Sequence, residues 1–248
     1  MSVSTPAQQV ALSLELEIAV DLVATGLREL QQRDGETDRN HLSLLTLASG
    51  IERFLKAILC LRYHEKTGHF PPGNSKMFTG RQGHDISRLF DEVVRDCFPA
   101  KYLATIAAAK TDYKFLKENP RLRSIIEQLS NFGQSARYYN FDVILGKKPK
   151  TDAPDSAWSQ LEVAIVMERP DLMAELNNPG PMPRLYEEVA RELITVIERL
   201  MRALSRLFTI GGLGDLAKRN MTFTTPFLFL MDSDLGTRDY TNYPWKTV

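Results

Sequence analysis

Leu12, Leu16, Ala19, Val23, Leu27 and Leu30 follow one another at steps of three or four, and so do Leu44, Ala48, Ile51, Leu55 and Ile58. Such steps place each set on one face of a helix with 3.6 residues per turn. Two apolar stripes in succession dictate packed helices, because each must be covered by another element. Pro6 suits a first helical turn and Asp34-Gly35 a stop, so the first helix is predicted over about Pro6 to Arg33. The second is predicted over about Asp38 to Lys66, widened by Leu45, Phe54, Leu59 and Leu61 and closed at Gly68.

Further helices follow the same logic. Gly68 to Gly83 reads as a polar loop with Pro71, Pro72, Gly73 and Gly80. Asp85 is an N-cap candidate for a short helix to Cys97 that buries Ile86, Leu89, Phe90 and Val93. Pro99 opens a helix that ends before Pro120, and Pro120 opens another that continues or kinks at Gly133 and reaches Leu145. After the basic break Gly146-Lys147-Lys148-Pro149-Lys150, Asp155 to Asn177 is helical with an interruption at Pro170, and 177–183 is a rigid connection. A long helix from about Pro183 to Ile210 buries Leu185, Val189, Leu193, Val196, Leu200, Ala203 and Leu207. Arg191, Glu198, Arg199, Arg202 and Arg206 lie away from that stripe, and Gly211-Gly212 stops the helix. Thr222 to Met231 is β-branched and aromatic, which predicts a short β-hairpin or an extended arm docked on the bundle or on another subunit. The expected fold class is all-α: an up-and-down antiparallel bundle over residues 1–210 with a tail over 211–248.

At 248 residues and 43% hydrophobic, the chain can fill a substantial core. Lys plus Arg is 31 and Asp plus Glu is 31, a balance that argues against a coat of basic charge for gripping duplex DNA. Cys60 and Cys97 are too few for a disulfide framework and read as reduced core thiols of a cytoplasmic protein. Glu15, Glu17 and Asp21 come too early for a secretory signal, and Glu52, Arg53 and Lys56 interrupt the most apolar stretch, so no membrane span is expected. Cys60, His64, His69 and His84 are near in sequence, yet His69 lies beyond Gly68; no metal site and no cofactor are expected. Gly211-Gly212-Leu213-Gly214 follows a helix rather than a strand, so it is no phosphate loop, and no Gly-x-Ser-x-Gly occurs.

Charged pairs such as Glu52 with Lys56 and Glu187 with Arg191 have the spacing of a solvated helix face. The arginines of the last long helix are candidates for binding RNA phosphates. The most informative stretch is Asn131 to Gly146, where Arg137 is followed by Tyr138, Tyr139, Asn140, Phe141 and Asp142. An arginine beside aromatic rings can hold a phosphate while a base stacks on a ring. The alternative is that the rings are core and Arg137 is tied to a carboxylate.

Three segments occur in a familiar order: Gly50-Ile51-Glu52-Arg53-Phe54-Leu55-Lys56-Ala57-Ile58-Leu59, then Gly83-His84-Asp85-Ile86-Ser87-Arg88-Leu89, then Ala136-Arg137-Tyr138. This order, over roughly Asp38 to Gly146, resembles the HEPN superfamily (higher eukaryotes and prokaryotes nucleotide-binding). The resemblance implies a four- or five-helix bundle, often a homodimer. Many members are metal-independent RNases in toxin, antiphage or RNA-processing systems. Their motif is an arginine, four to six residues, then a histidine. Arg137 matches the arginine, but positions 142 to 144 hold Asp142, Val143 and Ile144, and Tyr138 stands where a polar residue usually follows.

That departure matters, because metal-free RNA cleavage deprotonates a 2′-hydroxyl and protonates a leaving oxygen, tasks for a group titrating near neutrality. An aspartic acid side chain ordinarily ionises near ~3.9, which makes it a weak base. The favoured expectation is a HEPN-like protein without catalysis that binds RNA, a nucleotide or a protein partner, as a homodimer, in a bacterial defence or toxin–antitoxin setting. Arg137, Tyr138 and Tyr139 are its candidate ligand-binding residues, with Asp142 beside them. The enzyme alternative is a divergent metal-independent endoribonuclease using Arg137 with Asp142 or His84. A third is a structural adaptor whose Phe223 to Met231 arm docks on a neighbour.

Overall fold

The computed structural model describes residues 5–33, 40–75, 78–148, 152–176, 183–210 and 212–242. Within them the chain is all-helical and forms no strand. Helix α1 spans Pro6–Gln31 and α2 spans His41–Thr67. Short helices α3 (Gly80–Gly83), α4 (Ile86–Asp96), α5 (Ala100–Thr105), α6 (Ala107–Glu118) and α7 (Pro120–Gln134) follow. A 3-10 turn, Ala136–Tyr138, leads into α8 (Tyr139–Ile144), α9 (Pro154–Met167), α10 (Pro170–Leu176) and the long α11 (Pro183–Arg206). The C-terminal part holds α12 (Gly214–Arg219), a 3-10 turn at Met221–Thr224 and α13 (Thr225–Leu228). No helix among the described residues is long and apolar enough to cross a membrane.

Local chemistry sets the helix ends. Thr5 and Gln8 form a capping box at the start of α1, each side chain taking the other's backbone N–H. Asp85 caps α4 by accepting from the Arg88 N–H at 3.0 Å, and Asn119 caps α7 by accepting from the Leu122 N–H at 2.8 Å. Gly68 ends α2 in the left-handed region, at φ 79°. The helix predicted from Pro99 to Pro120 is two helices, because Ile106 is extended, at φ −114° and ψ 106°. Residues Asp34, Gly35 and Asp38, Pro149-Lys150 and most of the 177–183 connection lie outside the described residues.

The two stripes meet as expected. Glu15 reaches Arg53, Ala19 and Val23 lie against Gly50, and Gly26 lies against Thr46 and Leu47. Residue number falls along one helix as it rises along the other, so α1 and α2 run antiparallel. Their backbones approach closely: a Cβ on Gly50 would stand 2.8 Å from Val23 Cγ2 and 2.9 Å from the Ala19 carbonyl oxygen. Helix α2 is central, packing against α1, α4, α7 and α12, while α11 packs against α1, α6, α7, α9 and α13. Trp158, Tyr240, Phe54, Phe90, Phe132, Phe208 and Phe227 are the largest fully buried side chains, and all join one apolar cluster.

Two expectations are corrected. The tail segment Thr222 to Met231 forms helical turns instead of a hairpin or extended arm. Pro226 favours a first helical turn, and the Thr224 and Thr225 hydroxyls donate to the carbonyls of Met221 and Thr222, which tightens the chain into 3-10 geometry. Phe227 and Leu230 are buried in the chain's own core, so Phe227 cannot serve as an arm for a neighbour. The second correction concerns α11. Glu198 is fully buried and Arg202 only 7% exposed, although both lie off the apolar stripe. The segment after α13 covers them: the Tyr240 hydroxyl donates to Glu198 Oε1 at 2.8 Å, and Arg202 Nη1 donates to the Leu230 carbonyl at 3.0 Å. The same segment clasps α1, where the Tyr240 N–H donates to Gln31 Oε1 at 2.7 Å and Gln31 Nε2 donates to the Arg238 carbonyl.

Candidate functional site

Helix α2 carries Glu52, Arg53 and Lys56 on the edge of its buried face, and α1 places Glu15 opposite them. These residues line a cleft of about 690 Å³, closed on one side by the loop residues Phe70, Pro71, Pro72 and Phe78. Its volume falls within the usual range for small-molecule sites. His84 and Arg137, 53 positions apart in sequence, enter the same cleft.

Two local devices bring them there. Gly83, just before His84, packs directly on the Phe78 backbone, where a Cβ would stand 2.7 Å from the Phe78 carbonyl. Asp85, just after it, caps α4 and also accepts from the Ser130 hydroxyl of α7 at 3.1 Å. Ser130 in turn accepts from the Ser87 N–H. The start of α4 is thus tied to α7 one turn before α7 ends at Gln134. Ser135 then breaks the helix, at φ −152°, and the 3-10 turn that follows carries Arg137.

Inside the cleft, His84 Nδ1 lies 3.0 and 3.2 Å from the two oxygens of Glu52. Lys56 Nζ donates to Glu52 Oε1 at 2.7 Å, and Arg53 pairs with Glu15 at 2.6 Å. Glu52 is shielded and His84 half-exposed. A carboxylate accepting from Nδ1–H holds the imidazole in one tautomer, with Nε2 left as the acceptor nitrogen. Arg137 stacks on the Tyr138 ring, 5.0 Å from its centroid, and has no carboxylate partner among the described residues. The Cys60 thiol lines the cleft but is no nucleophile, because burial pushes its pKa up to about 12.

The structure separates the sequence candidates. His84 and Arg137 converge, and Tyr138 supports Arg137 from outside. Asp142 does not line the cleft; its nearest cation is Lys147 at 3.9 Å, because α8 turns away after the 3-10 break. Tyr139 does not line it either. Tyr138 and Phe141 are 53% and 65% exposed, so packing in the core is not their role. The sequence reading missed Glu52 and Lys56, assigned to a solvated face, and Glu15 and Arg53 with them. Their signal was position: Glu52 and Lys56 interrupt the most apolar stretch of the chain. His64 and His69 stack on Phe70 and Tyr63. No group of three or more His, Cys, Asp or Glu gathers as a metal site among the described residues.

No protein family, curated protein or solved structure matches this chain.

Proposed function

We propose that the chain is a HEPN-like helical protein whose cleft binds RNA or a nucleotide by its phosphate. The convergence of His84 and Arg137 on one cleft, which Lys56 also lines, carries this reading. Arg137 supplies a guanidinium with no carboxylate partner among the described residues, mounted on a ring. A phosphate bound there gains charge-assisted hydrogen bonds from Arg137. The apolar loop wall of Phe70, Pro71 and Phe78 offers a surface for a base.

A second reading, metal-independent RNA cleavage, is favoured by the contact between His84 and Glu52. In that reaction the 2′-oxygen attacks the adjacent phosphorus and the bond to the 5′-oxygen breaks, leaving a cyclic phosphate. His84 Nε2 takes the 2′-proton, Glu52 holds the imidazolium that forms, and Arg137 balances charge on the phosphorane. The leaving 5′-oxygen takes a proton from solvent or from a second subunit. His84 thus fills the role for which Asp142 is badly placed.

A labelled single-stranded RNA, mixed with the protein in EDTA, tests both readings in one titration. Binding by fluorescence anisotropy that weakens about tenfold in Arg137→Ala supports the phosphate site. Cleavage that disappears in both Arg137→Ala and His84→Ala adds the enzyme reading. Absence of binding by the parent protein ends both.

A further inference from the structure

A second recess lies between α6 and α11 and shares no lining residue with the cleft. Arg199, Arg202 and Arg206 stand at steps of three and four, so they share one face, and together with Asp112 and Asp232 they line a cavity of about 240 Å³. The pairing within it is uneven. Arg206 donates to both oxygens of the buried Asp112, at 3.0 and 3.1 Å. Arg202, 7% exposed, relies on Asp232, whose side chain is 90% exposed, through a 2.8 Å bond. Arg202 Nε is shut off from solvent and has no hydrogen-bond partner. Arg199 stacks over the Phe115 ring at 4.1 Å and has no carboxylate partner among the described residues.

Beside Arg199, which has no carboxylate partner among the described residues, the buried Arg202 guanidinium is thus paired with an almost wholly exposed Asp232. If it swings out, three guanidiniums face the single carboxylate of Asp112. The remaining charge matches a phosphate monoester, which carries about −1.5 to −2 at neutral pH. A neighbouring cavity of about 400 Å³ shares Ala108, Asp112 and Arg206 with the recess and is walled mainly by apolar side chains, among them Phe98, Ile210, Met221, Leu228 and Phe229.

We infer that this pair of cavities is a second binding site, for a small organic phosphate whose phosphate displaces Asp232 from Arg202 and whose apolar group enters the space beside Phe98 and Met221. The phosphate reaches Arg199 as well, completing a cradle that Asp232 fills by halves. The site is independent of the cleft at His84.

Isothermal titration of the full chain with phenyl phosphate, and separately with inorganic phosphate, tests the inference. In the Arg137→Gln background, which removes the phosphate site of the cleft, phenyl phosphate is expected to bind at one site, about tenfold more tightly than inorganic phosphate, through its ring. Arg199→Gln is expected to weaken it by about tenfold, and Asp232→Asn, which removes the competing carboxylate, to tighten it severalfold. Asp232 is exposed, so Asp232→Asn keeps the fold, and thermal melts check both variants. The inference is overturned by absence of binding in both parent and Asp232→Asn, by equal affinity for the two phosphates, or by indifference to Arg199→Gln. Loss of binding in Arg137→Gln also overturns it, because the phosphate then sits in the first cleft.

Discussion

His84 Nδ1 and Glu52 Oε1 lie 3.0 Å apart across 32 positions of sequence. The contact joins the loop before α4 to the central helix, and it fixes which ring nitrogen carries the proton. Without it, the half-exposed imidazole would turn freely about its own bonds.

Glu52→Gln is the direct probe of that contact. RNA affinity is expected to change little, since Arg137 holds the phosphate. Any EDTA-resistant cleavage is expected to fall by at least about tenfold, as an imidazole without its fixed tautomer is a poorer base. Equal cleavage rates for Glu52→Gln and the parent would strip Glu52 of its orienting role.

Asp85 holds the start of α4 and, through Ser130, the end of α7. Removing the carboxylate loses an N-cap and orphans a hydroxyl. Asp85→Ala is expected to lower stability by about 1–2 kcal/mol in urea unfolding. Asp85→Asn keeps an acceptor and recovers most of it. Equal losses in the two variants would mean that charge, not capping, is what matters.

Gly50 lies where α2 presses against the backbone of α1. Gly50→Ala forces a methyl against the Ala19 carbonyl and is expected to cost about 1–3 kcal/mol. Gly68→Ala meets no neighbour, so only its positive φ matters, at about 1 kcal/mol. Thermal melts of the two variants rank the effects, and the reverse order would contradict the close approach.

Glu198 has no exposure to solvent, and burial raises its carboxyl to about 6 despite hydrogen bonds from Gly236 N–H and Tyr240 OH. A carboxyl whose folded pKa exceeds its unfolded value binds protons more readily when folded. Its contribution therefore favours the fold below about 4.5 and is withdrawn as pH rises through about 6, by roughly 2 kcal/mol. The pH profile of stability in Glu198→Gln, subtracted from that of the parent, isolates this step between those values. A difference that stays level across the window would place the Glu198 carboxyl near its ordinary range.

Phe141 and Ile144 on α8, and Leu145 just after it, are 65%, 75% and 63% exposed beside the turn that carries Arg137. The HEPN-like reading makes this the face that a second copy covers. Ile144→Glu is then expected to leave the thermal melt unchanged and to convert a dimer to monomer in light scattering. A parent protein that is already monomeric would remove the face from that role.

What the sequence revealed follows from the range of the forces involved. The stripes of α1, α2 and α11 and the caps at Gly68 and Asp85 are written in residues one to four positions apart, and they are where periodicity put them. Ile106 gave no warning, because nothing in Ala100 to Glu118 marks a break as Pro or Gly would. Thr222 to Met231 has strand composition, yet Pro226 and the threonine hydroxyls turned it helical. Glu198 and Arg202 looked solvent-facing because their cover comes from residues 28 to 42 positions further along. The cleft was half legible. His84 and Arg137 stood out as chemistry, but their meeting depends on Ser130 and Asp85, 45 positions apart.

The clasp between Gln31 and residues 238–240 has a consequence for how the protein is made. Its two ends are separated by 207 residues or more. At roughly 5–20 residues per second on the ribosome, the end of α1 waits roughly ten to forty seconds before its partner is synthesised. Through most of that interval α1 and α2 can pair before α11 exists; once made, Arg202 waits for Leu230 and Glu198 for Tyr240, 28 and 42 positions further along. The bundle is therefore finished late, and a nascent chain stalled before residue 230 displays two uncovered charges that the residues after it put away.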